Sequence, residues 1–113
     1  MTCDAFEVVG VPFPFTDSGA TVKRPALVLS RRSFNAEGHT VLAMITDARN
    51  QSWPLDVRID HRSAGLKMPS VVRMKFFTLD NCLLLRRIGN LAEADRKNVV
   101  DSLRNVLPLF SAL

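Results

Sequence analysis

Apolar residues come in short blocks along most of this chain, and only near its C-terminus does their spacing lengthen to a helical period. Glu7 to Phe15, EVVGVPFPF, is rich in strand-forming residues, but Pro12 and Pro14 cannot donate to a ladder. That segment should therefore be an edge strand, or leave the sheet near Phe13. Thr16, Asp17, Ser18 and Gly19 form a turn cluster. Pro25 fixes its own φ and biases Arg24 toward an extended backbone, so Lys23-Arg24-Pro25 reads as a corner that presents a guanidinium beside the sheet. Ala26 to Ser30 is a continuous apolar run of strand length, the pattern of a buried strand.

Arg31 to Thr40 is polar and contains Asn35 and Gly38, hence a loop. Val41 to Thr46, VLAMIT, predicts a third strand that stops abruptly at Asp47. Ala48 to Asp56 is a polar loop apart from Trp53 and Leu55, and Val57 and Ile59 then alternate with Arg58 and Asp60 as in a half-exposed strand. His61 to Pro69 turns around Gly65. Ser70 to Arg73 and Phe76 to Leu79 are two short strands or one strand with a bend, and Leu83 to Ile88 is a further strand.

Val99, Leu103, Val106, Leu107 and Phe110 then recur on one face of a helix. The helix should start at Asn90 or an adjacent residue, with Glu93 and Asp95 in the first turn where the dipole favours acid, and Pro108 should end or kink it. Six or seven short strands followed by one helix predict a mainly β fold, a small, strongly bent barrel with the helix packed against it. No repeat, low-complexity tract or long linker interrupts residues 1–113, so one domain is expected.

Composition narrows the class. With 113 residues and 47% apolar content, the chain can bury one modest core without staples. The absence of a long apolar run excludes a transmembrane helix, and the first ten residues lack the pattern of a signal peptide, so a cytoplasmic location with no membrane partner is expected. Cys3 and Cys82 should be reduced thiols, with Cys82 packed as a small hydrophobe. No CxxC or His/Cys cluster is present, so neither a metal nor another cofactor is expected. A net charge of +4 favours an anionic partner.

Six blocks bring these features together: VPFPFTD, KRPALVLS, AMIT, SAGLKMPSVVR, TLD and RRIGNL. In that order and spacing they resemble the MazF/PemK family of type II toxin–antitoxin toxins. The resemblance implies an SH3-like β-barrel of the CcdB/MazF type with a C-terminal helix, usually a homodimer. It implies a metal-independent endoribonuclease that cleaves single-stranded mRNA at short sequences, held in check by a small, acidic cognate antitoxin. The family's catalytic pair falls on Arg24 and Thr46, and the strand-end arginine used by some members falls on Arg73.

The chemistry suits those residues. When a 2′-OH attacks its neighbouring phosphate, charge gathers on the non-bridging oxygens, and an arginine fork can hold two of them at once. The Thr46 hydroxyl can donate to another. Lys23, Arg73, Asp47 and Trp53 are the candidate RNA contacts, with Trp53 offering a ring on which a base can stack. The general base is less defined. His39 and His61 lie in expected loops, and the carboxylate that some relatives carry two residues after the strand arginine is replaced by Lys75, leaving Asp47 and Asp17. The Gly-Asp opening frequent in the family is also absent, with Cys3-Asp4 in its place. Two alternatives accompany this reading: a non-catalytic toxin of the same fold that binds DNA gyrase, disfavoured by the Phe110–Leu113 ending with Trp53 far away, and a catalytically weak relative that still binds antitoxin.

Overall fold

The computed structural model describes residues 1–13 and 22–108, with Val22 described by its backbone alone. The strands are β1 (Glu7–Phe13), β2 (Val22–Val28), β3 (His39–Asp47), β4 (Val57–Ile59), β5 (Ser70–Asp80) and β6 (Arg86–Asn90). A one-turn helix α1 (Arg32–Asn35) precedes β3, and α2 (Glu93–Val106) follows β6. The strands form one antiparallel sheet in the order β4-β5-β3-β2-β1-β6. The mainly β architecture with a C-terminal helix is the one expected from the pattern.

The sheet curls, so its two faces bury separate cores. One core joins Val8, Leu27, Ala43, Ile45, Val72 and Met74, and Val99 of α2 closes it. The other joins Val9, Val11, Phe13, Ala26, Val28 and Leu42, with Met44, Phe77 and Leu79 half-buried at its margin. Residues 61–69 reach across to β6 at two glycines. A Cβ on Gly65 would lie 2.5 Å from the Ile88 carbonyl oxygen, and one on Gly89 would lie 2.3 Å from that of Ala64. Only glycine permits this approach, and Gly65 also has φ +82°.

Several expectations change. β1 is not an edge strand: β2 lies on one side from Val8 to Phe13 and β6 on the other from Glu7 to Gly10. Its Pro12 falls after the β6 pairing has ended, where a missing N–H is tolerated. Lys23-Arg24-Pro25 is not a corner but part of β2, where Gly10 pairs with Pro25 and Val11 with Arg24. β2 is flanked on both sides only from Ala26 to Val28, so the proline stands just before the doubly paired stretch. The segment 31–40 is not all loop, since it holds α1 and the first residues of β3. Asn90 ends β6 rather than starting α2, and Ser70 to Asp80 is one strand with an irregular register, the second of the two readings.

Cys82 does not pack as a hydrophobe: it is exposed in the 3-10 turn Asn81–Leu83, while neighbouring Leu84 fills the core. Cys3 is the buried thiol, and burial raises its pKa. Its carbonyl accepts from Asn35 Nδ2 at 2.8 Å, so the opening residues are tied to the fold. α2 ends at Val106, as Pro108 predicts, and its Asp95 carboxylate accepts the Asp60 amide at 2.8 Å. Of the expected apolar helix face, Val99 and Leu103 pack on the core and Val106 is exposed. No helix among the described residues is long and apolar enough to cross a membrane. Pro14, Phe15, the 16–19 turn with Asp17, and Phe110 with the residues after it lie outside the described residues.

Candidate active site

The candidate site forms where β2, β3 and β5 emerge from the second core. β2 and β3 pair at Ala26–Met44, and the same register carried two residues further sets Arg24 opposite Thr46. Alternation along β3 keeps Leu42, Met44 and Thr46 on one face, so this end of the sheet is polar where its middle is apolar.

β5 contributes through its irregularity. Ala43 pairs with Phe76 and Ile45 with Val72, which leaves Arg73, Met74 and Lys75 against Met44 alone. Two extra residues, an even number, leave the faces of β5 unswitched. Met74 accordingly stays in the first core while Arg73 and Lys75 both face the other side. The same bulge therefore concentrates two cations opposite Met44, around the cavity that Thr46 also lines.

These residues line a cavity of about 470 Å³ together with Phe13, Asn50, Gln51 and Trp53. A second cavity of about 760 Å³ lies on the other side of Arg24 and Thr46. It is bounded by Lys23, Asp47 and Ile45 from the strands, by Lys67 from the 61–69 loop and by Arg86 and Ile88 from β6. Arg24 and Thr46 are common to both.

The partners of each group define what it can do. Thr46 is 3% exposed, and its Oγ1 accepts from Asn50 Nδ2 at 2.7 Å, which leaves its own hydroxyl proton to donate. Arg24 is half-buried, and among the described residues nothing hydrogen-bonds or pairs with its guanidinium. Arg73 is held differently. Its Nη2 donates to the Gln51 carbonyl at 2.7 Å and to Asp56 Oδ2 at 3.1 Å, and its Nε donates to Asp56 Oδ1 at 3.3 Å. The guanidinium also lies 5.1 Å from the Trp53 ring centroid, with Lys75 Nζ at 5.8 Å. Asp56 in turn accepts the Trp53 amide at 2.9 Å, so one ion pair pins the loop that carries Asn50 and Trp53.

Asp47 turns away from a basic role. Its carboxylate takes Arg49 Nη2 at 2.7 Å and the Arg49 amide at 2.9 Å, and these hydrogen bonds hold its pKa down to about 2. A carboxylate that far below neutrality is a poor proton acceptor at pH 7. His39 is the first residue of β3 rather than a loop residue, with Nδ1 2.8 Å from Asp80, and neither His39 nor His61 lines either cavity. The sequence candidates Arg24, Thr46, Arg73 and Trp53 are thus brought together around the first cavity, while Lys23 and Asp47 face the second. Asn50, Asp56, Lys67 and Arg86 were missed. Asn50 and Asp56 sit in a polar loop where their types are ordinary, and Lys67 and Arg86 are cations next to apolar residues, so spacing carried no signal for them.

Residues 4–107 match the family described as PemK-like, MazF-like toxin of type II toxin–antitoxin system. The chain belongs to this family. No curated protein sequence matches it. Among solved structures, the Mycobacterium tuberculosis toxin MazF-mt6 superposes with a TM-score of 0.75 at 23% identity, over 91% of this chain and 97% of that one. A chain of the MazE–MazF complex of Deinococcus radiodurans gives 0.76 at 22% identity, over 96% and 98%. An endoribonuclease in complex with its cognate antitoxin from a mycobacterial species gives 0.76 at 18% identity, over 95% and 96%. At such identities the likeness is one of fold, and the expected MazF-type barrel with its C-terminal helix is the fold observed.

Proposed function

We propose that this toxin is an endoribonuclease that cleaves single-stranded RNA at short sequences, with Arg24 and Thr46 as its catalytic pair. One observation carries the reading: an arginine with no partner among the described residues stands beside a threonine hydroxyl oriented to donate, on the wall between two cavities. The scissile phosphate sits against Arg24. The 2′-OH attacks the adjacent phosphorus, the 5′ oxygen leaves, and a cyclic phosphate remains. The proton lost from the 2′ oxygen is balanced by one gained on the 5′ oxygen.

Arg24 holds the charge that develops on the non-bridging oxygens, and Thr46 donates to one of them. Asn50 fixes the direction of the Thr46 hydroxyl. Arg73 keeps the loop in place and adds positive charge, while Trp53 offers a ring to a neighbouring base. Lys23 meets RNA beyond the reacting phosphate, and Asp47 with Arg49 shapes the rim. No metal enters this scheme. The RNA-specific 2′-OH requirement separates RNA from DNA.

In the same reading the chain acts in the cytoplasm as a homodimer that covers the half-exposed Met44, Phe77 and Leu79, and an acidic antitoxin restrains it. The antitoxin follows from the family and from the neighbours solved as complexes. Incubating the purified protein with labelled RNA in EDTA should yield discrete fragments, and Arg24→Ala should slow their appearance by about 10²–10³-fold. Cleavage by Arg24→Ala at the wild-type rate would sink the assignment.

A further inference from the structure

The second cavity has a chemistry of its own. Lys23, Arg24, Lys67 and Arg86 surround it, drawn from β2, the 61–69 loop and β6. Among the described residues none of these four side chains has a hydrogen-bond or ion-pair partner. Asp47 is the single carboxylate among the described residues of the wall, and Arg49 already occupies it. Four cations left unanswered around one concavity call for an anionic occupant.

The placement of these cations is built into the fold. Lys67 follows Gly65 by two residues, and the close contacts of Gly65 and Gly89 seat the whole loop on β6, beside Arg86. The floor, with Ile45, Leu66 and Ile88, carries no aromatic ring among the described residues. Among those residues bases therefore find a stacking surface at Trp53 in the first cavity and none here, whereas a sugar–phosphate backbone needs only cations and apolar contact. The two cavities meet at Arg24 and Thr46, so one polymer with a charge on every unit can run through both.

Resting on the proposed ribonuclease reading, we infer that the second cavity binds the single-stranded RNA that continues past the scissile phosphate, with Lys67 and Arg86 holding the phosphate of a flanking nucleotide. Lys67 and Arg86 are then affinity determinants remote from the chemistry. They make the enzyme favour targets embedded in longer RNA over targets at a strand end. An acidic peptide is the other occupant that four cations and an apolar floor could take, and it would engage this cavity without needing the first.

The test is the Lys67→Ala/Arg86→Ala double variant, with Arg58→Ala on the exposed face of β4 as a charge control. The probe is a fluorescent, random-sequence 2′-O-methyl RNA, which binds but lacks the attacking hydroxyl. Binding by the double variant should weaken roughly tenfold, and its salt dependence should flatten by about 0.7 in log–log slope per lost phosphate contact. In cleavage of a long RNA the loss should fall on KM, and a target placed at a strand end should feel it least. Wild-type binding and salt slope in the double variant would overturn the inference. So would a double variant that keeps RNA binding but loses a leucine-containing polyglutamate peptide. If the wild-type protein fails to cleave RNA at all, the ribonuclease reading falls first, which separates the two failures.

Discussion

Arg24 and Arg73 line the same cavity, yet the protein treats them in opposite ways. Arg73 is 7% exposed and directs its donors to Asp56 and the Gln51 carbonyl. Arg24 is half-buried and, among the described residues, meets no acceptor. A buried guanidinium must be answered within the fold because desolvating an unpaired charge is costly. One left open to a cavity keeps its hydrogen-bonding capacity for a ligand. Two arginines that look equivalent as cations in the sequence therefore divide into one tied into the fold and one left open to a cavity.

The sharpest break of that comparison is Arg24→Ala. The rate of RNA cleavage should fall by about 10²–10³-fold, as for the loss of one preorganised donor, while the thermal midpoint stays at the wild-type value. An equal loss of midpoint and rate would place Arg24 with Arg73 after all. The reverse pattern is expected of Arg73→Met. With the largely covered Asp56 carboxylate left without its cation, stability should drop by about 3 kcal/mol in a urea titration, and Asp56→Asn added to it should recover part of the loss. Full stability in Arg73→Met would mean that the ion pair does not hold the loop.

Smaller effects sharpen the picture around Thr46. Thr46→Val keeps the shape but removes the donor, and kcat should fall by about tenfold, in line with the roughly 1.5 kcal/mol typical of a hydrogen bond to a charged group. Asn50→Ala should cost about 1 kcal/mol of the same term, and Asn50→Asp should cost more because an acceptor would draw the threonine proton away from the phosphate. If Asn50→Asp matches wild type in kcat, Asn50 does not orient the hydroxyl.

The smallest effect concerns Asp47. Its folded pKa of about 2 lies below the unfolded value, so its contribution to stability is complete above about pH 4 and is lost as the pH falls toward 2. The pH profile of cleavage should accordingly show no limb from Asp47 between pH 5 and 8. A limb in that window that disappears in Asp47→Asn would restore it as a base.

Much of the fold was legible because it follows from local pattern. The apolar blocks around Val8, Leu27 and Ile45 are strands since each must bury one or both faces, and the wider spacing of Val99 and Leu103 marks a helix for the same reason. The site was legible only in part. Arg24 and Thr46 stood out through the six blocks shared with a family, whereas Asn50 and Asp56 belong to a polar loop with no periodicity, and Lys67 and Arg86 lie in two of the blocks without a role attached to them. Proline misled at both ends of the first hairpin, since its local cost was read without knowing which strand edges lack a partner.

By itself the sequence determined the strand and helix types, the single C-terminal helix, and the residues able to hold a phosphate. These depend on side-chain chemistry and on periods of two and 3.6, which are properties of neighbouring residues. Tertiary structure alone decided which cations are answered and which are free. Arg73 meets Asp56 across seventeen positions, and Lys67 meets Arg86 around one cavity only because two glycines let a loop lie against β6. Pairing at such separations depends on register, on a two-residue bulge and on close backbone contact, and none of these is encoded in any one stretch of the chain.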